Sequence, residues 1–418
     1  MDLLVCGIGE LATPVGGKAR GGVAQGRISV VRNAYVLVRN GRIAEVGQGR
    51  GPRLAGPTLD AEGRCATPGL VDPHTHAVFA GSRVEEFLAR TRGEKYTGGG
   101  ILTTVQATRA ASGNGLVELA RPRLLRMLAQ GVTTVEVKSG YGLALTHELK
   151  ILRVVRQLGE ELPLTLVPTF MGAHAFPPEV PREEYVRLLV DEMIPTVARD
   201  GLARFCDVFC DRGFYSVDEA RRILVAAREH GMGLKVHADE LASVGAAELA
   251  GALRAVSAEH LLHISEAGIQ ALAQAGTVAV LLPGTAFLLD EPYPPARDLI
   301  AAGVPVALGT DFNPGSCPLA SLPLVLSLAV TKLKLAPAEV LTAATLHAAA
   351  ALGLATEIGS VEGGKRADLV LWDAASHEEI PYWIGQNLAW AVVAGGRVVA
   401  SPSPDPRLRG GGADRCEN

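Results

Sequence analysis

Four residues in this 418-residue chain have the types and spacing of a metal-binding set. His74 and His76 stand two apart in Asp72-Pro73-His74-Thr75-His76, closing an apolar run. Alternate side chains of an extended segment share a face, so both imidazoles project the same way. His237 closes another such run, in Lys235-Val236-His237-Ala238-Asp239-Glu240, and Asp311 a third, in Leu308-Gly309-Thr310-Asp311. Together they form an N₃O donor set, which suits zinc or iron and leaves a position for water. A metal acidifies its water, but a protein group must still move the protons. Glu240, three residues past His237, is placed to take a proton from water and hand it to a leaving nitrogen. His260 closes a further apolar run and is a candidate to orient or deprotonate that water. Taken singly, each has a plainer account: a surface ion pair for Glu240, a satisfied core histidine for His260.

These residues need elements to bring them together. Eight apolar runs are each followed by a polar loop: Pro68 to His76, Val132 to Lys138, Leu164 to His174, Phe205 to Asp211, Gly233 to His237, Ala255 to His260, Thr277 to Pro283 and Pro305 to Asp311. Helices are predicted between most of them. Thr146 to Glu160 is one, and Ser216 to Glu229 is another, with a Ser216/Glu219 capping box and Gly231 as its stop. Ser265 to Ala275 is interrupted by Gly268, but Ser265 can cap it and Gly276 can end it. Eight strand–helix units predict a (β/α)₈ TIM-type barrel, whose chemistry sits at the C-terminal strand ends. The candidate residues fall there.

Both chain ends read as short strands instead. Ile28 to Val31, Ala34 to Val38 and Arg42 to Val46 are β-rich, with a hairpin turn at Asn40-Gly41. Near the other end stand Ala367 to Trp372, Leu388 to Val393, and Arg397 to Ala400 after the Gly395-Gly396 turn. The expectation is an α/β chain: a small β-sandwich domain from residues 1–66 and 357–401, a barrel over 67–356, and a tail over 402–418.

Composition supports a well-cored globule, with 48% hydrophobic and 20% charged residues. Forty Lys and Arg against 44 Asp and Glu give a net charge of −4, which argues against a nucleic-acid partner. The most apolar run, Thr277 to Leu289, is short for a membrane span and is broken by Pro283 and Gly284. No basic lead-in marks a signal peptide, so a cytoplasmic location is expected. The cysteines at 6, 65, 206, 210, 317 and 416 form no disulfide framework, and Cys206 and Cys210 read as reduced core thiols. Gly359 to Lys365 mimics a phosphate loop, but Arg366 follows where Ser or Thr is needed, so a turn is predicted.

Pro68-Gly69-Leu70-Val71-Asp72-Pro73-His74-Thr75-His76, the His237-x-x-Glu240 step, His260 and Gly309-Thr310-Asp311 together resemble the amidohydrolase superfamily. The position of Glu240 indicates its single-metal subset. Two-metal members bridge their ions with a carboxylated lysine. Lys138 ends the second strand, not the fourth, and takes no such role here. Five further stretches resemble the imidazolonepropionase family over essentially the whole chain: Phe79 to Arg83, Gly98 to Ile101, Glu136 to Gly142, Phe170 to His174 and Asp311 to Ser316. That resemblance implies hydrolysis of 4-imidazolone-5-propanoate to N-formimidoyl-L-glutamate, in histidine degradation. It implies one metal ion per subunit, zinc or iron, and a homodimer acting on a small-molecule substrate. His74, His76, His237 and Asp311 would be the ligands, and Glu240, His260 and Asp311 the catalytic groups. Substrate contacts would come from Arg83, Tyr141, His174, Glu240, Asn313, Gly315 and Ser316. Arg83 would fork onto the propionate carboxylate, and Gly98 to Gly100 would form a lid hinge. Asp207 and Asp211 face the barrel without an assigned role. The rival readings are a heterocycle deaminase with the same metal set, and an inactive scaffold on the same fold.

Overall fold

The structure, a computed structural model, describes residues 2–54, 56–94 and 100–400. Gly98 and Gly99 of the expected hinge, the tail from 402 and Cys416 lie outside the described residues. Eight parallel strands follow one another around a barrel: β1 (Leu70–Asp72), β2 (Val132–Lys138), β3 (Thr165–Ala173), β4 (Phe205–Cys210), β5 (Gly233–Ala238), β6 (Ser257–His260), β7 (Val278–Leu281) and β8 (Val306–Leu308). Six of the eight are buried along their whole length, as strands packed on both faces must be. The expected helices are present as Leu145–Glu161, Val217–Glu229 and Glu266–Ala275. Ser216 and Glu219 form the reciprocal capping box, and Ser265 caps the third helix through the Gly268 N–H.

The first apolar run divides between two sheets. Cys65–Pro68 pairs with Leu369–Trp372 in the sheet of the chain ends, whereas Leu70–Asp72 joins the barrel. Gly69 makes the switch, and a Cβ there would meet Thr133 Oγ1 at 2.3 Å. Pro73 then offers no N–H to continue the ladder.

Between β8 and β1 the barrel closes by other means. At the functional end, the Asp311 N–H donates to the His74 carbonyl at 3.0 Å and the His76 N–H to the Phe312 carbonyl at 2.9 Å. Asp72 accepts from the Thr310 N–H and hydroxyl at 3.1 and 2.6 Å. At the opposite end, the buried Gln25 amide fills the gap. Its Nε2 donates to the Val306 carbonyl at 3.2 Å and its Oε1 accepts the Val306 N–H at 3.0 Å.

Strands from both chain ends form one mixed sheet of eight strands. Ile28–Arg39 is one strand, not the two expected, and Asn33 takes a left-handed φ of +50° within it. Leu3 and Val5 enter one apolar cluster and Leu4 and Cys6 another, as alternation requires, and a register shift between Val5 and Ile8 brings Ile8 to the first. Val370 and Trp372 pack into the barrel core, and Trp372 Nε1 donates to Thr67 Oγ1 at 2.8 Å. The five described cysteines are buried. Among the described residues no helix is long and apolar enough to cross a membrane.

Buried His347 joins the two parts. Its Nδ1 lies 3.0 Å from the Val306 carbonyl oxygen, and its Nε2 accepts the Arg20 N–H at 3.0 Å. Only the neutral ring meets both partners, and burial pushes its pKa down to about 4. Unfolded histidine titrates near ~6.5, so the unfolded chain gains a proton that the folded chain refuses. This contribution to stability is complete above that value and is lost as pH falls toward about 4. Relative to His347→Gln, the native protein should lose on the order of 3 kcal/mol of unfolding free energy on that descent. Urea titrations from neutral pH down to pH 4 check it; parallel curves for both proteins would count against it.

Candidate active site

The C-terminal strand ends bring the predicted residues to one place. His74 and His76 follow β1, His237 lies in β5, His260 ends β6 and Asp311 follows β8. The His74 ring lies 4.5 Å from that of His237, 5.4 Å from His260 and 5.5 Å from His76, centre to centre. Asp311 Oδ1 is 3.3 Å from His74 Nε2 and 3.9 Å from His76 Nε2. Its other oxygen accepts from the Thr285 hydroxyl at 2.6 Å, which fixes which oxygen faces the imidazoles. Burial alone would raise the Asp311 carboxyl, but His74, His260 and Thr285 hold it at about 2. His260 and Asp311 adopt left-handed backbone, with φ of +71° and +53°. Such conformations cost roughly 1–3 kcal/mol each and persist where the surroundings enforce them.

Below these ends the barrel interior is charged. Glu136, Lys138, Asp207, Lys235 and Glu259 are all fully buried. Glu259 Oε2 lies 2.6 Å from His74 Nδ1, and Asp207 Oδ1 lies 3.1 Å from His237 Nδ1. Asp207 thus gains the role that its sequence position did not reveal. Sequence reasoning missed Glu259 altogether, although Ser257-Ala258-Glu259-His260 shows the alternation that sends Glu259 inward.

Above them a small cavity is lined by His76, Arg83, Tyr141, His174, His237, Glu240, His260, Asp311, Asn313 and Ser316. Phe209, Phe214, Ile101 and Leu241 supply its apolar walls. Glu240 Oε2 lies 3.5 Å from His260 Nε2. Burial pushes the Glu240 carboxyl well above the usual carboxylate range, and the charges of Asp311 and Asp211 push the same way. The His174 ring stacks on that of His76 at 4.9 Å, and its Nδ1 sits 3.2 Å from the Gly140 carbonyl. Burial and the nearby His237 bring its pKa down to about 3, so the ring is neutral.

Three loops above the strands are pinned from inside. Glu148 accepts the N–H groups of Gly140, Gly142 and Leu143 and so fixes the loop bearing Tyr141. Asp211 accepts those of Glu240 and Leu241 at 2.7 and 2.8 Å. Asn313 Oδ1 accepts from Gly315 and Ser316, while its Nδ2 donates to the Asp311 carbonyl and Ser316 Oγ. Asn313 and Ser316 therefore line the cavity while holding each other. Arg83 also has a partner within the chain, since Glu86 receives its Nε and Nη2 at 2.8 and 2.7 Å. Gly315 packs on that guanidinium, where a Cβ would come within 2.0 Å of Nη1.

A sequence model of the amidohydrolase family matches residues 65–402. The imidazolonepropionase of Symbiobacterium thermophilum is 51% identical over 416 residues, covering 96% of this chain and 97% of that protein. That of Geobacillus kaustophilus is 49% identical, covering 90% and 92%. The chain belongs to the amidohydrolase family. Within this family its full-length likeness is to the imidazolonepropionases, and it is a hydrolase. Two amidohydrolase-fold structures align along nearly the whole chain. Atrazine chlorohydrolase TrzN from Arthrobacter aurescens, complexed with zinc, has a TM-score of 0.72 at 19% identity and covers 96% of this chain and 95% of its own. An adenosine deaminase from Xanthomonas campestris with bound zinc has a TM-score of 0.71 at 22% identity, covering 95% and 92%.

The donor set of this amidohydrolase fits a divalent metal. His76 Nδ1, His237 Nε2 and His260 Nδ1 are buried without a hydrogen-bond partner, a costly arrangement unless something else satisfies them. Donor atoms of His74, His76 and Asp311 lie within 4.8 Å of one another, as do those of His74, His237 and His260. The geometry brings His260 as close to this centre as the expected ligands.

Proposed function

We propose that this protein hydrolyses 4-imidazolone-5-propanoate to N-formimidoyl-L-glutamate. The observation that carries the reading is a buried carboxyl, Glu240, facing His260 and the His/Asp cluster across a small cavity with Arg83 on its wall. Near-full-length similarity to imidazolonepropionases supports this substrate. His74, His76, His237 and Asp311 would hold one zinc or iron ion, whose Lewis acidity polarises a carbonyl and acidifies water. Arg83, oriented by Glu86, receives the propionate carboxylate. Tyr141, His174, Asn313, Gly315 and Ser316 shape the space around the ring and tail. Water adds to the ring carbonyl carbon and the ring C–N bond breaks, so the water oxygen ends in the new carboxylate. Glu240 takes the proton from the water, with His260 holding the two in line, and returns it to the departing nitrogen. A carboxyl driven to high affinity for protons suits the first of these steps, and its burial beside the ring suits the second. A homodimer in the cytoplasm accords with the same reading.

Freshly generated substrate should be consumed with formation of formimidoylglutamate. A chelator should abolish turnover, and added zinc or ferrous iron should restore it. Folded, metal-loaded protein that leaves the substrate intact would defeat the assignment. Arg83→Gln removes a charge-assisted contact worth about 1.5–3 kcal/mol, which raises KM on the order of 10- to 100-fold. An unchanged KM would remove Arg83 from the substrate site.

A further inference from the structure

The site contains a bridge that its ligands do not explain. Lys138 Nζ lies 2.7 Å from Asp207 Oδ2, 2.8 Å from Glu259 Oε2 and 3.0 Å from Glu136 Oε2. An ammonium has three donors, and each has a carboxylate within reach. Two of those carboxylates reach onward to imidazoles. Glu259 contacts His74 Nδ1, and Asp207 contacts both Nδ1 and the backbone N–H of His237. One cation thus joins the inner edges of histidines from β1 and β5, 163 residues apart in sequence. Lys235 differs in this respect. Its ammonium reaches Glu136 and the other oxygen of Glu259, which also accepts from Ser257, and Asp207 is not among the carboxylates it pairs with.

We propose that Lys138 is a positioning residue that locks His74 and His237 as a pair, with each Nδ1 held inward, His74 Nε2 turned to Asp311 and His237 Nε2 left free of partners among the described residues, and thereby sets the affinity of the site for its metal. This rests on the reading of the site as a divalent-metal centre. Carboxylates that orient metal-bound histidines typically change affinity by about 10- to 100-fold when lost. Lys138 holds two of them at once. Without it Asp207 and Glu259, both fully buried, repel each other and the two rings lose their common anchor.

The test is competition for Zn²⁺ between a chromophoric chelator and the metal-stripped full chain, native, Lys138→Met or Lys235→Met. Co²⁺ spectra report the ligand geometry. Lys138→Met should bind Zn²⁺ on the order of 10- to 100-fold more weakly and shift the Co²⁺ bands. Lys235→Met should lower the unfolding temperature but change the Zn²⁺ affinity less than threefold, about 0.6 kcal/mol. Equal losses in the two variants would overturn the proposal, as would native affinity in folded Lys138→Met. Native protein that binds neither ion would defeat the metal reading itself. If Lys138→Met does not fold, the double variant Lys138→Met/Glu136→Gln removes the cation together with the one of its three anions that contacts no histidine. Weak Zn²⁺ binding by the folded double variant supports the bridge, and native affinity rejects it.

Discussion

Glu240→Gln should keep its metal and its fold and lose between about 10²- and 10⁴-fold in kcat. The amide is close in size and can still face His260, which lies 3.5 Å from the carboxylate oxygen. What it lacks is the ability to take and return a proton. The substitution also removes a group whose ionisation is opposed by burial and by Asp311 and Asp211, so stability should not fall. KM should change little, because proton transfer matters in the transition state and not in the resting complex. Metal analysis, a melting curve and single-turnover kinetics on the same sample make the test clean. Full turnover, or metal loss accounting for the whole decline, would sink the proton-transfer role.

Gln25→Met should destabilise the fold by roughly 1.5–4.5 kcal/mol without touching the active site. Gln25 is fully buried and meets both the N–H and the carbonyl of Val306. It replaces the strand neighbour that β8 lacks at this end. Methionine has nearly the same volume, so the packing loss is small. The loss comes from stranding the buried Val306 N–H, at ~1–3 kcal/mol, and from one hydrogen bond, about 0.5–1.5 kcal/mol, at the Val306 carbonyl, which keeps His347 as a partner. Denaturant titration would read the change, and hydrogen exchange at the Val306 amide would locate it. Unaltered stability with a protected Val306 amide would show that another group can close this seam.

Most of the barrel was legible because parallel strands buried on both faces leave continuous apolar runs with polar residues at their ends. The ligand candidates stood at those ends, and the Ser216 and Ser265 caps could be read from local spacing alone. The interior charges were harder. Glu136, Lys138, Asp207, Lys235 and Glu259 alternate correctly with apolar neighbours, but apart from Glu136 and Lys138 on β2 their contacts run between strands. Only closure of the barrel pairs them. Gln25 was illegible for the same reason, since a loop glutamine carries no sign of the strand edge 281 residues away. Arg83 was legible as a carboxylate binder, but the acid it meets within the chain is Glu86, three residues on.

The inward pins on the loops bear on how such an enzyme could be given a new substrate. Glu148, Asp211 and Asn313 grip the backbone close to the strand ends, so the outer parts of these loops are free to vary in length and composition. A transplant that exchanges only a loop tip should leave Tyr141 and Glu240 where they stand. A transplant of the whole loop has to bring its pinning side chain as well. For two of the three loops that side chain belongs to a different segment: Glu148 on the following helix, and Asp211 after the preceding strand. The natural unit of exchange in this barrel is therefore a loop together with the carboxylate that holds it.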